Sequence, residues 1–390
     1  MDIYKAIIKV LSGNFLSQIL TGCLGLYFIS SLSPTSYTNY AVFQSSIFLV
    51  LGLLVTPFNR IIVVSENKKL LDCLYFFQLI LLIPLSMFIY FYLQKDMIFS
   101  CLFIIASVFL LKYEFKKALL QKELKFREFS NAILVRALLF VLFSLCLVEL
   151  TLFDMLNDYY KIAFSALLSW YVTLLIIRKR DYPNQRLPKL EDLYYVKKEY
   201  GLIFLYFILS ALFSQLDFIF LRFLSYDNEL GIYAVAFQYY LFLNLVMNSL
   251  KQVLLPHISK YKDLKFYDLT IKLVPIYALF TLGVIFLILS SELWMDLVQG
   301  SKYVGVDYVF TVLAISSVFS MVFSPSSEIL QAKRNYSFML VIIIFSLLIN
   351  ATLNFYMVEK YGAVGVSIST LVSFIFLNIS FALRCHKKCY

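Results

Sequence analysis

The sequence predicts an all-α membrane protein: about twelve transmembrane helices, in two similar six-helix lobes around a central cavity. Three observations predict it. Apolar residues make up 61% of the chain and charged residues 15%, whereas a soluble domain carries roughly a quarter charged residues. The apolar residues gather into runs long enough to cross a hydrocarbon layer about 30 Å thick. Two segments also nearly repeat. Tyr40-Ala41-Val42-Phe43-Gln44 returns as Tyr233-Ala234-Val235-Ala236-Phe237-Gln238, each copy downstream of a Ser-Gln pair (Ser17-Gln18, Ser214-Gln215) and upstream of a proline (Pro57, Pro256). Membrane chains built from repeated halves suit a carrier that rocks two bundles about one site.

The runs, in order, are 8–30, 39–63, 71–93, 97–118, 132–153, 160–177, 200–224, 232–255, 269–290, 305–324, 336–357 and 361–383. The first continues past Phe28 without a small-residue cleavage site, so it reads as a span and not a removable leader. The second carries the first repeat copy. The third to sixth complete the first half. Residues 178–198 form the longest connector, with Pro183, Pro188 and many charges, as expected of a linker. The seventh and eighth carry the second copy, and the last four complete the second half. The expected organisation is a lobe over 1–178, a cytoplasmic linker over 179–198 and a lobe over 199–390.

Charge fixes an expected orientation. One set of connectors and both termini hold 27 of the 34 Lys and Arg residues, and the alternate connectors hold five: Lys95, Lys161, Arg222, Lys302 and Lys360. Arg60 and Arg136 lie within runs. The positive-inside rule then puts both termini in the cytoplasm. The net charge of +10 follows from topology and anionic lipid, so nucleic acid is not expected as a partner. Cys23, Cys73, Cys101 and Cys146 read as small apolar fillers. Cys385, His386 and Cys389 lack a fourth ligand nearby, so no metal site is expected.

Polar residues inside the runs fall at helical spacing. The first run has Asn14, Ser17, Gln18 and Thr21. The seventh has Tyr206, Ser210, Ser214 and Asp217. The eighth has Tyr240, Asn244, Asn248 and Gln252. The tenth has Ser316, Ser320 and Ser324, and the eleventh Asn350 and Asn354. The carboxamide row of the eighth run suggests a wet cavity lined by the first, second, seventh and eighth runs. The serine row reads as glue between helices, each bond worth about 0.6 kcal/mol. Asp217 lies about 24 Å along its helix from the cytoplasmic end. It reads as a proton or sodium site, a contact to sugar hydroxyls, or a structural partner for a cation on another span. Arg60, Lys251 and Arg136 lie toward the cytoplasmic half. Arg60 and Lys251 read either as a phosphate-capturing mouth or, like Arg136, as side chains reaching the lipid headgroups.

No nucleotide-binding, zinc-protease or hydrolase motif appears, and the outer connectors are short. The chain therefore does not read as an enzyme.

The stretch Ser214-Gln215-Leu216-Asp217 to Leu224-Ser225, then Gly231-Ile232-Tyr233-Ala234-Val235-Ala236 and Leu255-Pro256, resembles bacterial O-antigen and capsule repeat-unit flippases. So do Ile329-Leu330-Gln331-Ala332, Asn350 to Asn354, and Tyr361-Gly362-Ala363-Val364-Gly365-Val366. This polysaccharide transporter family belongs to the multidrug, oligosaccharidyl-lipid and polysaccharide exporter superfamily. The resemblance implies a two-lobed bundle in the bacterial inner membrane that moves undecaprenyl-pyrophosphate-linked oligosaccharide to the outer leaflet by alternating access. It implies a polysaccharide polymerase and a chain-length regulator as partners, beside substrate and membrane lipids. No cofactor is expected other than a coupling ion, sodium or proton. The expected roles are phosphate capture for Arg60, Lys251 and Arg136, sugar contacts for Gln18, Asn244, Asn248 and Gln252, and ion coupling or gating for Asp217. Two competing readings are a drug exporter of the same superfamily and a membrane polymerase or glycosyltransferase.

Overall fold

The computed structural model describes residues 3–64, 68–93, 96–123, 125–149, 157–177, 186–224, 226–260 and 266–387. Among them every regular element is helical. In order they are α1 (Ile3–Ser31), α2 (Pro34–Val50), a π-helical segment (Leu51–Val55), α3 (Thr56–Val64), α4 (Lys68–Tyr92), α5 (Met97–Lys122), α6 (Phe126–Glu149) and α7 (Asp158–Ile176). Then come α8 (Leu190–Phe223), α9 (Asp227–Lys260), α10 (Phe266–Leu289), α11 (Ser291–Gln299), α12 (Val306–Ala332) and α13 (Tyr336–Lys387). Each of the twelve apolar runs falls mainly on helix over its described residues. Among the described residues ten helices are long and apolar enough to cross a membrane. One of the ten, α13, is two helices joined at Gly362, whose φ of 53° and ψ of −134° interrupt the helical backbone. Glycine reaches that region without a Cβ penalty. The protein is thus a multi-pass helical membrane protein.

The chain divides into two compact units, one of residues 1–25 and 35–215, the other of residues 26–34 and 216–390. In the first, α5 packs against α3, α4, α6 and α7. Its buried Phe103, Ala106, Ser107, Leu110 and Glu114 recur at three- and four-residue spacing, so they share one face. Asp96 starts α5 by accepting a hydrogen bond from the Phe99 amide at 3.0 Å, and its other oxygen accepts from the Tyr160 hydroxyl at 2.7 Å. One side chain thereby caps one helix and ties it to another.

The π-helical segment leaves carbonyls without their usual partners. Thr56 Oγ1 donates to the Leu51 carbonyl at 2.9 Å, and the buried Gln78 Nε2 donates to the Leu54 carbonyl at 2.8 Å. Such satisfaction is required where no water is at hand. Beside it, a Cβ placed on Gly52 would lie 2.2 Å from the Ala211 Cβ of α8. Only a glycine lets these two helices come so near.

In the second unit α12 packs against α9, α10 and α13. Ser316, Ser320 and Ser324 are buried on its face, and Ser316 and Ser324 bond to carbonyls of their own helix. α11 lies in what the sequence offers as a plain connector. Its Trp294 packs edge-on against Tyr239 and Phe310 while Leu293 and Leu297 stay exposed, the habit of a helix lying in a membrane interface. Exposed leucines, isoleucines and phenylalanines along α6 and α10, such as Leu138, Leu142, Leu279, Leu282 and Phe286, are the surface expected against lipid.

Gly52→Ala should destabilise the protein by about 1–3 kcal/mol, seen as a lower melting temperature in detergent. Adding Ala211→Gly should restore much of the loss. An unchanged melting temperature in Gly52→Ala would show that the two helices do not meet at this point.

Candidate functional site

Asp217 is buried in the interior of the second unit, 5% exposed. It sits on α8 one turn past Ser214. Its Oδ1 accepts from Asn354 Nδ2 at 2.9 Å. Its Oδ2 accepts from the Tyr233 hydroxyl and from Thr370 Oγ1, both at 2.5 Å. The Asn354 amide also donates to Asn350 Oδ1 at 3.0 Å, and Asn350 Nδ2 donates to Thr370 Oγ1 at 3.2 Å. Asp217, Asn354, Asn350 and Thr370 thus form a closed ring of hydrogen bonds, with Tyr233 attached to the carboxylate.

Sequence spacing explains part of this. Asn350 and Asn354 lie four residues apart on the first half of α13, so they share a face. Thr370 comes from the second half of α13, past the break at Gly362. Tyr233 comes from the first turns of α9, next to the α8–α9 hairpin. Glu229, on the same end of α9, accepts from the Ala363 amide at 2.7 Å. That bond ties α9 to the break in α13, and it leaves no room for a side chain at 362, where a Cβ would lie 2.2 Å from Glu229 Oε2.

All three donors to Asp217 are neutral. Among the described residues no lysine, arginine or histidine pairs with it. Burying a carboxylate without a counter-charge is expensive, even with its lone pairs satisfied. Asn354 Oδ1, in a fully buried residue, has no donor. The site therefore offers more oxygen acceptors than its own hydrogens can fill. That imbalance fits a proton or a small hard cation, which oxygen ligands suit.

The other predicted residues stand as follows. Gln18 is half-buried on α1 in the first unit. Arg60 is exposed on α3 in the first unit, its guanidinium 5.7 Å from the centre of the Phe207 ring. Arg136 is half-buried on α6. Asn244 is half-buried on α9, one turn from the buried Tyr240, which it reaches by hydrogen bond. Asn248, Lys251 and Gln252 lie further along α9, and Asn14 lies on α1; their side chains are outside the described residues. Asp217 does not share surroundings with Ser210 and Ser214. Ser214 is exposed and Asp217 is buried.

Two clusters escaped sequence reasoning. Gln215 Oε1 accepts from Ser45 Oγ at 2.8 Å, and Ser45 accepts from the Tyr92 hydroxyl at 3.2 Å. The two Ser-Gln pairs were the signal for Gln215, but nothing in the sequence joined it to Ser45. Glu114 is buried on α5, bonded to Lys117 at 2.5 Å, with Asn59 Nδ2 3.4 Å away. Its lysine-rich flank masks it as part of a solvated face.

Thr370→Val removes one donor to the carboxylate with little change of shape. It should cost about 1.5–3 kcal/mol, the range for a bond to a charged group. In an Asp217→Asn background the same change should cost much less, which a double-mutant cycle in detergent measures. Additive effects would show that the two side chains do not interact.

Comparison with known proteins bears on what such a chain does. A family model described as polysaccharide biosynthesis protein matches residues 72–308, more than half of the chain. None of the curated protein sequences compared with it matches. Among solved structures, the lipid II flippase MurJ in an inward closed conformation superposes with a TM-score of 0.76 at 15% identity, over 97% of this chain and 87% of that one. An outward-facing multidrug resistance MATE family transporter of the MOP superfamily gives 0.69 at 15% identity, over 99% and 95%. A Vibrio cholerae MATE transporter gives 0.66 at 12% identity, over 98% and 96%. At these identities the likeness is one of fold. The family match goes further, and the chain belongs to the polysaccharide biosynthesis protein family.

Proposed function

We propose that the protein is a flippase that carries an undecaprenyl-pyrophosphate-linked oligosaccharide, of O-antigen or capsule type, across the bacterial inner membrane. The observation that carries this reading is membership of a polysaccharide biosynthesis family by a chain made of membrane-crossing helices. The described connectors support it. Those after α1, α4 and α8 span only a few residues, and the one after α10 folds into the short α11. A polymerase or glycosyltransferase needs a sizeable outer loop to hold its chemistry, so the reading is transport and not catalysis.

The work required is to pass a charged, hydrated head group through the bilayer while the polyprenyl tail stays in lipid. Alternating access by two lobes, here 1–178 and 199–390 joined by a cytoplasmic linker over 179–198, does this without a covalent step. Both termini are then cytoplasmic. Arg60 and Lys251 capture the pyrophosphate by charge, with Arg136 in reserve, and Gln18, Asn244, Asn248 and Gln252 contact sugar hydroxyls. A polysaccharide polymerase and a chain-length regulator would take up the delivered units.

Asp217 is the coupling residue on this reading. Its oxygens, with those of Asn350, Asn354 and Thr370, would hold a sodium ion or a proton. Either would supply the positive charge that the buried carboxylate lacks. The residues of this chain supply the rest: neutral donors from α9 and α13 that orient the carboxylate, and helices that keep water away from it.

A second reading, a drug exporter, has the MATE-like fold in its favour. Such an exporter would be expected to carry a free acid deep in its first half. The buried acid found there, Glu114, is paired with Lys117 and lies among Lys112, Lys116 and Lys117 at the basic end of α5. The family match also favours polysaccharide.

Arg60→Ala or Lys251→Ala should abolish surface polysaccharide at unchanged protein level. Normal polysaccharide in both variants would remove the phosphate-capture role. In vesicles, a labelled lipid-linked repeat unit should cross faster under a sodium or proton gradient, and Asp217→Asn should erase that dependence. If the chain instead moves drug cations and leaves lipid-linked sugar untouched, the flippase reading fails.

A further inference from the structure

At one end of the second unit, the α12–α13 connector and the last turns of α13 enclose a cavity of about 130 Å3. Its charged lining is Lys333, Arg334 and Arg384, above an apolar floor that includes Ile329 and Leu330. No acid lines it. Two donors among these residues lack an acceptor: Asn335 Nδ2 and Arg384 Nε are both buried without a hydrogen-bond partner. Buried donors without partners are rare, and each points to a missing acceptor. Here two of them belong to residues that line a cavity with three cationic side chains in its wall. The Arg384 guanidinium also lies 5.1 Å from the centre of the Phe338 ring, within cation–π range.

The backbone gives a second, independent observation. Arg334 is the only non-glycine residue with positive φ among those described, at 54°. It ends α12 in the left-handed closing turn, where the Asn335 amide bonds to the Leu330 carbonyl at 2.9 Å and the Lys333 amide to that of Ile329 at 2.9 Å. Glycine is the usual residue at this place because it has no Cβ to strain. An arginine there gives up local stability and adds a positive charge at the mouth of the cavity. Strain of this kind persists where function uses it.

We propose that this cavity is a binding site for a phosphoryl group, held by Arg384 and Asn335 within and by Arg334 and Lys333 at the rim. The volume exceeds the roughly 30 Å3 of one water molecule, and a tetrahedral oxyanion supplies acceptors for the three cationic side chains that line it. The phosphate arrives either on the headgroup of an anionic phospholipid or free from solution. Lys333 and Arg334 sit on the lysine- and arginine-rich side of the membrane by the charge count, where anionic headgroups concentrate. Binding here involves no transport step, so it stands or falls apart from the flippase reading.

The test uses the full chain, delipidated in neutral detergent. Binding is read by native mass spectrometry and by thermal shift. The probes are phosphatidylglycerol, phosphatidylcholine as the neutral control, and sodium phosphate against sodium chloride at equal ionic strength. The site predicts saturable binding of phosphatidylglycerol over phosphatidylcholine, or of phosphate over chloride, and which of the two occurs identifies the source. Arg334→Gly and Arg384→Gln should each weaken that binding about tenfold, the loss of one charge-assisted bond. Arg334→Gly relieves the strained turn, so it should bind weakly without melting lower than the parent. Arg334→Lys should keep part of the affinity. Equal binding of both lipids with no preference for phosphate, or preferences that neither variant changes, would overturn the proposal.

Discussion

A carboxylate sunk among apolar helices without a cation beside it has to be met by neutral donors, and much of the second unit is organised by that need. Asp217 on α8 takes its hydrogen bonds from α9 through Tyr233 and from both halves of α13 through Asn354 and Thr370. Four crossings are fixed by one side chain. Because the donors converge from separate elements, no single helix can shift without leaving a buried polar atom unpaired, and within hydrocarbon that is expensive. The break at Gly362 is part of the same arrangement. It lets the chain reverse so that Asn350 and Thr370, twenty residues apart, meet at 3.2 Å.

The arrangement is tight in geometry but unbalanced in charge. Three neutral donors satisfy lone pairs without cancelling the formal negative charge, and Asn354 adds an acceptor with no donor at all. A purely structural carboxylate would sit more cheaply beside a lysine or arginine, as Glu114 does beside Lys117 in the first unit. On the carrier reading, the contrast between these two buried acids supports ion coupling at Asp217 and a structural role for Glu114.

The sequence made the helices legible because hydropathy over twenty residues is a strong signal, and bilayer thickness sets the length. It also made single-helix patterns legible: Asn350 with Asn354, and the serine row of α12. What it hid was pairing between helices. Asp217 and Thr370 are separated by 153 residues, and nothing in either run says which faces meet. Periodicity even misled at one point, grouping Asp217 with Ser214. The two lie only about 60° apart around the helix, so it is the packing around each position, and not the spacing, that leaves Ser214 exposed and Asp217 enclosed. The π-helical turn at Leu51–Val55 was invisible because it reads as ordinary apolar helix. Nine-residue α11 was too short to stand out from a connector.

Counted from the Ser-Gln pairs, the place of Asp217 is taken in the first half by Leu20, and Tyr40 answers to Tyr233. Tyr40 is buried like its counterpart, but the corresponding position in its half carries no carboxylate. The scaffold was copied and the charge was not. On the carrier reading, coupling to a small cation at this position would belong to the second half alone. The first compact unit carries its buried polar bonds elsewhere: Ser45 with Gln215 and Tyr92, and Gln78 on the π-helical carbonyl. These join neutral groups and carry no formal charge for an ion to balance. On the carrier reading the two halves thus divide the work. One is held by interactions that no ion changes, and the other is held by a ring whose charge balance an ion alters. A difference of that kind is what a coupled conformational change requires, since a ligand shifts an equilibrium only by its unequal interaction with the two states.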